Sequence, residues 1–274
     1  MKLSLRMLIK VILLVAFSKN GFTQDIDKLK NDLNSILKEH QIPGASFSVF
    51  LNDSTTFSMG LGKVSTGDTP YAKSNTRFRV GSITKTFIAL GLLRLHEEKK
   101  INIDAPIKEL IPEIKIKNPW KEETPITTRH LLEHTSGLYD ISFNEIFSIE
   151  NDLTIQEVLN RTPSSKVVVN KPGKFFSYSN SGYLLAGYIL EKYAGKRFEV
   201  YLKESILTPL HMSNSTFNEF ELSNNEKPIG HIFTSNGPKR VVESKITMNR
   251  WAGSLVTTSN DMLKLLRFFI NKEQ

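Results

Sequence analysis

The chain has 274 residues, of which 39% are hydrophobic and 23% charged, and it contains no cysteine. This composition is that of a globular protein long enough for one or two domains, and it excludes disulfides and a cysteine-linked lipid anchor. The formal net charge is +8, but basic and acidic residues are interleaved along the chain. No basic stripe is present, so we expect no nucleic-acid partner.

Residues 1–24 are typical of a secretory signal peptide. The basic residues Lys2, Arg6 and Lys10 precede a run of seven apolar residues, 11–17, and small and polar residues follow. So short a run cannot span a bilayer, which takes about 20 residues. We expect export across the inner membrane to the periplasm or beyond, with no stable membrane span after signal cleavage. The cleavage site departs from the A-x-A pattern, so an uncleaved signal anchor remains an alternative.

Helical spacing predicts a helix over residues 25–40, which the Pro-Gly pair at 43–44 ends. Alternating apolar residues then predict a β-hairpin with strands over residues 45–51 and 55–61 and a turn at residues 52–54.

An apolar run at helical spacing predicts a helix that opens at Ser82 and ends in the charged cluster at residues 97–100. Lys85 follows Ser82 at i+3, so the two side chains share a face of this helix and can touch. Ser82 also lies where the unpaired N–H groups and the positive end of the helix dipole favour an oxyanion. A lysine kept neutral by burial can take the proton of a serine hydroxyl. The alternative is that Ser82 is a plain helix cap and Lys85 a solvated side chain.

Residues 86–206 are predicted to be mostly helical and to be inserted between two sheet-forming parts, residues 25–81 and about 207–274. Helices are predicted over residues 129–134, 181–194 and 198–206. A further helix is predicted to begin at the capping box formed by Thr154 and Glu157. A second hairpin over residues 231–242, turning at 236–237, and a last helix over residues 261–270 follow.

A second polar stretch, residues 177–180, precedes the predicted helix over residues 181–194. A tyrosine hydroxyl near a lysine loses its proton more easily, so Tyr178 can serve as a base. Asn180 offers a donor and an acceptor, which suits a substrate amide. If the segment is extended, the two side chains point to the same side. The alternative is a loop tyrosine and a capping asparagine.

The segment from His130 to His134 matches H-x-x-E-H, the inverted zinc-peptidase motif. Two histidines at i and i+4 on a helix can bind zinc, with Glu133 as the base. Residues 135–137 end that helix at once, so a zinc peptidase is the remote alternative and we expect no metal.

The order Ser82-x-x-Lys85 and then Tyr178-x-Asn180 resembles the serine β-lactamase and penicillin-binding protein superfamily, in the branch of class C β-lactamases, D-alanyl-D-alanine carboxypeptidases and related esterases. The resemblance runs from about residue 27 to 270 and is carried by residues 76–85, 126–138, 172–183 and 252–261. It implies an α+β fold, in which an antiparallel sheet is flanked by helices, a mainly helical domain is inserted, and the active site lies between them.

The resemblance also implies a role for each site residue. Ser82 is the nucleophile and its own N–H an oxyanion donor, Lys85 shuttles the proton, Tyr178 is the base of the second motif, and Asn180 binds substrate. The implied reaction is acyl transfer through a Ser82 acyl-enzyme, without a cofactor, on a small or peptidoglycan-derived amide or ester. β-Lactams, stem peptides and small esters all require this same chemistry, so the substrate stays open.

One family feature is not found. A third motif, Lys-Thr-Gly or His-x-Gly, should follow residues 252–261, and none of the thirteen residues after Asp261 forms it. In the family its strand supplies a second oxyanion donor, and losing one such donor costs about 3–4 kcal/mol. We therefore expect an incomplete sheet in a C-terminally truncated domain that occupies residues 25–274 and is not a competent hydrolase as it stands. The alternative function is a non-catalytic module that binds peptidoglycan or a partner.

Overall fold

The computed structural model describes residues 22–50, 56–142, 153–241 and 250–270. Most of the predicted signal peptide and the predicted turn at residues 52–54 lie outside the described residues. The helices are α1 (Phe22–Glu39), α2 (Thr84–Glu97), α3 (Ile107–Leu110), α4 (Thr128–Leu132), α5 (Ile155–Arg161), α6 (Asn180–Ala194), α7 (Phe198–Leu202), α8 (Arg250–Gly253) and α9 (Ser259–Ile270). The strands are β1 (Gly44–Phe50), β2 (Thr56–Gly62), β3 (Phe78–Arg79), β4 (His231–Thr234), β5 (Gly237–Arg240) and β6 (Val256–Thr257).

Both predicted hairpins are confirmed. Strands β1 and β2 pair antiparallel, with Gly44 opposite Gly62 and Phe50 opposite Thr56. Strands β4 and β5 pair with His231 opposite Arg240, and Gly237 closes their turn with a φ of 97°, which glycine adopts without strain.

The fold is α+β, as expected, but the described strands do not join into one sheet. They form three antiparallel pairs, β1–β2, β3–β6 and β4–β5. The β3–β6 pair is only two residues long on each side, because β3 leads at once into the turn that carries Ser82.

The helices α2 and α6 pack against each other at the centre of the core. Their inward faces bury the apolar side chains Phe87, Ile88, Leu92, Leu184, Leu185 and Ile189, all at most 2% exposed. The predicted capping box at the start of α5 is confirmed, because Thr154 and Glu157 each accept the other's backbone N–H. The predicted helix over residues 198–206 is α7 followed by a π-helical turn, Lys203–Leu207.

The helices α2 to α7 lie between β3 and β4 in the chain. The division of residues 25–274 into a sheet part and a helical part stays a prediction. Within the described ranges, no helix combines the length and the apolar character that a membrane span requires.

Candidate active site

The turn that carries Ser82 is held in place by hydrogen bonds to a segment that is distant in sequence. Strand β3 pairs with β6, and the Val80 N–H donates to the Leu255 carbonyl at 3.1 Å. Gly81 then takes a left-handed φ of 53° and a 3₁₀ turn, Gly81–Ile83, leads into α2. Ser82 therefore opens the helix as predicted, although through a 3₁₀ turn. Because no side chain caps this turn or α2, the alternative that Ser82 is a plain helix cap is wrong.

Lys85 lies at the centre of the site and is only 5% exposed. Its Nζ is 3.1 Å from Ser82 Oγ, 2.9 Å from Asn180 Oδ1 and 3.0 Å from the Ala252 carbonyl oxygen. The alternative of a solvated lysine is therefore wrong, and the predicted contact between Ser82 and Lys85 is present.

Burial lowers the pKa of Lys85 from its ordinary value of 10.5, because the charged form loses its hydration. The Tyr178 hydroxyl and the Asp140 carboxylate act in the opposite direction and offset part of the shift. Lys85 is thus held closer to neutrality than a surface lysine, as a base must be.

Tyr178 reaches Ser82 from the solvent side. Its hydroxyl donates to Ser82 Oγ at 2.7 Å, its ring centroid is 4.9 Å from Lys85 Nζ, and the residue is 45% exposed. The intervening Ser179 is extended, with φ −139° and ψ 119°. Tyr178 and Asn180 consequently point to the same side, as predicted.

Asn180 begins α6, and both ends of its side-chain amide are bonded. Oδ1 accepts from Lys85, and Nδ2 donates to Asp140 Oδ2 at 3.1 Å. Asp140 Oδ1 also accepts from the backbone N–H groups of Asn180 and Ser181, at 2.6 and 3.0 Å. Asp140 was missed in the sequence. Its only signal is a lone carboxylate two positions after the family-like stretch 126–138, and no spacing rule links it to Asn180.

The residues of the zinc alternative are arranged differently from what that alternative requires. Helix α4 ends at Leu132, and His134 has a left-handed φ of 59°, so His130 and His134 do not share a helical face. His130 Nδ1 accepts from the Thr127 N–H at 3.3 Å inside a capping box. Within the described ranges, no group of three or more His, Cys, Asp or Glu side chains is arranged to hold a metal ion.

His134 instead supports the tyrosine of the site. Its Nδ1 accepts from the Ser179 N–H at 3.0 Å, and its ring stacks on Tyr178 with centroids 4.3 Å apart and planes at 26°. Burial, together with the charge of Lys85, lowers the pKa of His134. A neutral imidazole is the form that can accept this hydrogen bond.

The arrangement combines an exposed hydroxyl with a buried amine behind it and a phenol beside it. It is suited to moving the Ser82 proton while Oγ attacks a carbonyl carbon. The Ser82 N–H lies in the first turn of the helix, where amide groups have no intrahelical acceptor and can bind an oxyanion.

Two solved structures have a fold similar to that of this chain, and a third protein is similar to it in sequence. An octameric penicillin-binding protein homologue from Pyrococcus abyssi superposes with a TM-score of 0.78 at 30% identity, over 91% of this chain and 57% of that one. D-amino acid amidase from Ochrobactrum anthropi SV3 superposes with a TM-score of 0.74 at 27% identity, over 86% and 67%. Protein flp of Staphylococcus aureus (strain N315) is 28% identical over 256 residues, which are 92% of this chain and 50% of that protein.

The chain spans about half the length of the curated relatives it matches. The family model described as Beta-lactamase matches residues 26–274, which is nearly the whole sequence. The resemblance to the serine β-lactamase and penicillin-binding protein superfamily is confirmed, and the chain belongs to the Beta-lactamase family.

Proposed function

We propose that the protein is of the serine hydrolase type and transfers acyl groups through an ester on Ser82; because the third motif is not found, we expect the 274-residue chain itself to turn substrate over poorly. One observation carries the proposal. The exposed Ser82 hydroxyl lies 3.1 Å from the amine of a buried lysine and 2.7 Å from a tyrosine hydroxyl. A serine needs an adjacent base to become a nucleophile, and this contact supplies two candidates.

In the proposed mechanism neutral Lys85 takes the Ser82 proton as Oγ bonds to the substrate carbonyl carbon. The oxyanion that develops accepts from the Ser82 N–H. The proton then passes from Lys85 through the Tyr178 hydroxyl to the leaving nitrogen or oxygen, and the C–N or C–O bond breaks. Water attacks the resulting ester by the reverse proton path and restores the Ser82 hydroxyl.

The substrate class that we propose is an amide or ester, with a β-lactam or a peptidoglycan-derived peptide among the candidates. The D-amino acid amidase, at 27% identity, supports an amide among these candidates. Export to the periplasm or the extracellular side remains part of the proposal and rests on residues 1–24 alone.

The test is covalent labelling of the 274-residue chain with a fluorophosphonate and with a penicillin, followed by peptide mass spectrometry. We expect one adduct on Ser82, which Ser82→Ala abolishes and Ser177→Ala, a change at a neighbouring serine, leaves in place. An adduct on another serine, or labelling of Ser82→Ala at the parent rate, contradicts the proposal. An adduct on Ser82 without turnover of a D-amino acid amide, a p-nitrophenyl ester or nitrocefin is the outcome expected from the missing third motif, whereas no adduct favours the non-catalytic module.

A further inference from the structure

We propose that Asp140 is a positioning residue for acyl transfer, which fixes the orientation of the Asn180 amide and thereby directs the lone pair of Lys85 at Ser82. The inference rests on the proposed function and adds a residue that does not itself touch Ser82.

The first step is the hydrogen-bond polarity around Asn180. An ionised carboxylate only accepts hydrogen bonds, so the group that Asn180 presents to Asp140 Oδ2 at 3.1 Å has to be its NH₂. The amide oxygen must then face the other way, toward Lys85 Nζ at 2.9 Å. Without the carboxylate only Lys85 would orient the amide, and a neutral amine, unlike an ammonium, can pair with either end of it.

The second step is the polarity around Lys85. A neutral amine has two N–H groups and one lone pair. The Asn180 amide oxygen and the Ala252 carbonyl oxygen, at 2.9 and 3.0 Å, accept the two N–H groups. Two hydroxyls remain beside the amine, and that of Tyr178 donates to Ser82 Oγ, so the lone pair is left for the Ser82 hydroxyl at 3.1 Å. If the Asn180 amide turned over, its NH₂ would compete with the Ser82 hydroxyl for that lone pair.

The two carboxylate oxygens of Asp140 bind different groups. An experiment can therefore separate the positioning of the Asn180 amide from the capping of α6. Oδ1 accepts from the first two N–H groups of α6, while Oδ2 contacts the Asn180 side chain. The Ser179 hydroxyl caps the same helix independently by accepting from the Gly182 N–H at 3.0 Å. Asp140→Asn keeps an oxygen for the helix and places its NH₂ against Asn180, so it should turn the Asn180 amide over and spare the cap.

The experiment compares Asp140→Asn with the double variant Asp140→Asn/Asn180→Asp. We expect Asp140→Asn to lower the rate of Ser82 acylation about 10- to 100-fold, the size of effect that small errors of alignment produce, with Tm near the parent value. The double variant again presents an oxygen to Lys85 but adds a carboxylate that favours the charged amine, so the Lys85 titration midpoint, and not the acylation rate, should report the restored oxygen. Thr154→Ala, which removes the cap of the distant helix α5, should lower Tm and leave the acylation rate unchanged.

A second readout does not require turnover. The titratable groups that face Lys85 are Asp140, Tyr178, Tyr183 and His134. In Asp140→Asn the midpoint of the Lys85 Cε resonance, followed by NMR, should move to lower pH, because a carboxylate is lost and a donor replaces the amide oxygen. In the double variant the midpoint should move back up.

The inference is overturned if Asp140→Asn keeps the parent acylation rate and Lys85 midpoint, or if the double variant leaves the Lys85 midpoint where Asp140→Asn has it. A slower acylation in Asp140→Asn that is accompanied by a clear fall in Tm overturns it as well, because the loss of the helix cap would then explain the slower acylation. If Ser82 of the parent is never acylated, the proposed function fails, and the Lys85 titration still decides the role of Asp140.

Discussion

The two groups that contact the Ser82 hydroxyl differ greatly in exposure. Lys85 is 5% exposed and Tyr178 is 45% exposed. A buried amine is shielded from water and cannot exchange its proton freely, whereas a phenol at the surface can meet a leaving group directly. This difference supports Lys85 as the base for Ser82 and Tyr178 as the residue that hands the proton to the substrate.

Tyr178→Phe tests the proton-transfer role of Tyr178 by removing a single oxygen atom. The variant loses the hydroxyl 2.7 Å from Ser82 and keeps the ring that stacks on His134. We expect acylation about 100- to 10,000-fold slower, as for the loss of a positioned proton-transfer group, with Tm unchanged. Tyr71→Phe makes the same change at an exposed tyrosine on another part of the surface and should be neutral. Parent-like acylation in Tyr178→Phe would remove the hydroxyl from the mechanism.

The lowered pKa of His134 leads to an expectation of how the free energy of unfolding depends on pH. Its pKa in the folded protein lies below the ordinary 6.5, so the unfolded chain takes up a proton first as the pH falls. The free energy of unfolding should therefore decrease from pH 6.5 downward until the folded pKa is reached. In His134→Asn the side chain still offers an oxygen, tolerates the φ of 59° and cannot titrate.

We expect the fall in Tm between about pH 7 and pH 5 to be smaller in His134→Asn than in the parent. His211→Asn, at an exposed histidine with a φ of 56°, is the matched control. His130, whose pKa is also lowered by burial, should retain part of the slope. If the slope in His134→Asn equals that of the control, the acid sensitivity has another origin.

At the scale of elements, the site depends on how closely α8 approaches α6. Ala252 of α8 supplies the carbonyl that binds Lys85, and its neighbour Trp251 is fully buried. The Trp251 indole donates to Glu191 of α6 at 2.8 Å, which fixes the ring. A Cβ on Gly187 would lie 2.6 Å from Trp251 Cδ1, so the absence of a side chain at Gly187 permits this packing.

Gly187→Ala should therefore be harmful, although alanine favours helices. We expect overpacking against Trp251 to cost about 1–3 kcal/mol of unfolding free energy and to slow acylation by displacing α8. Gly182→Ala lies in the same helix, where the added Cβ would come no closer than 3.4 Å to any atom, so its stability should be unchanged or higher. Equal melting temperatures for the two variants would show that Trp251 can move aside.

Much of this arrangement could be predicted from local patterns. The hairpins follow from alternation, and the Ser82–Lys85 contact from i, i+3 spacing. The remaining contacts join segments far apart in sequence. Asp140 meets Asn180 forty residues away, and His134 was assigned to a helix that ends before it. Local spacing carries no information on such pairs, because tertiary packing decides which loop lies beside which helix.

At the scale of the whole molecule, the two ends of the described chain are joined through serine hydroxyls. Ser259 at the start of α9 accepts from Ser48 of β1 at 2.8 Å and from Ser46, and it donates to the Ser74 carbonyl at 3.2 Å. These bonds link the first hairpin to the last helix across more than two hundred residues of sequence.

Ser259→Ala should loosen this link. Removing the shared hydroxyl takes a partner from Ser46 and from the Ser74 carbonyl, whereas Ser48 keeps Ser58 at 2.9 Å, and an unpaired buried group typically costs about 1–3 kcal/mol. Urea denaturation should show this loss, whereas Ser35→Ala, at an exposed serine of α1, should stay within about 0.5 kcal/mol of the parent. A Ser259→Ala midpoint equal to that of Ser35→Ala would mean that the Ser259 hydroxyl contributes nothing measurable to this link.

The separation of the Lys85 partners along the chain has a consequence for biosynthesis. Asn180 lies 95 residues and Ala252 167 residues after Lys85. Chains are made from the N-terminus, and contacts of such range form only after both segments have been synthesised. Until residue 252 has been added, a nascent chain therefore carries Ser82 beside an amine that lacks the Ala252 partner. The set of contacts that buries and directs the Lys85 amine can therefore form only after the segment around Ala252 has been synthesised.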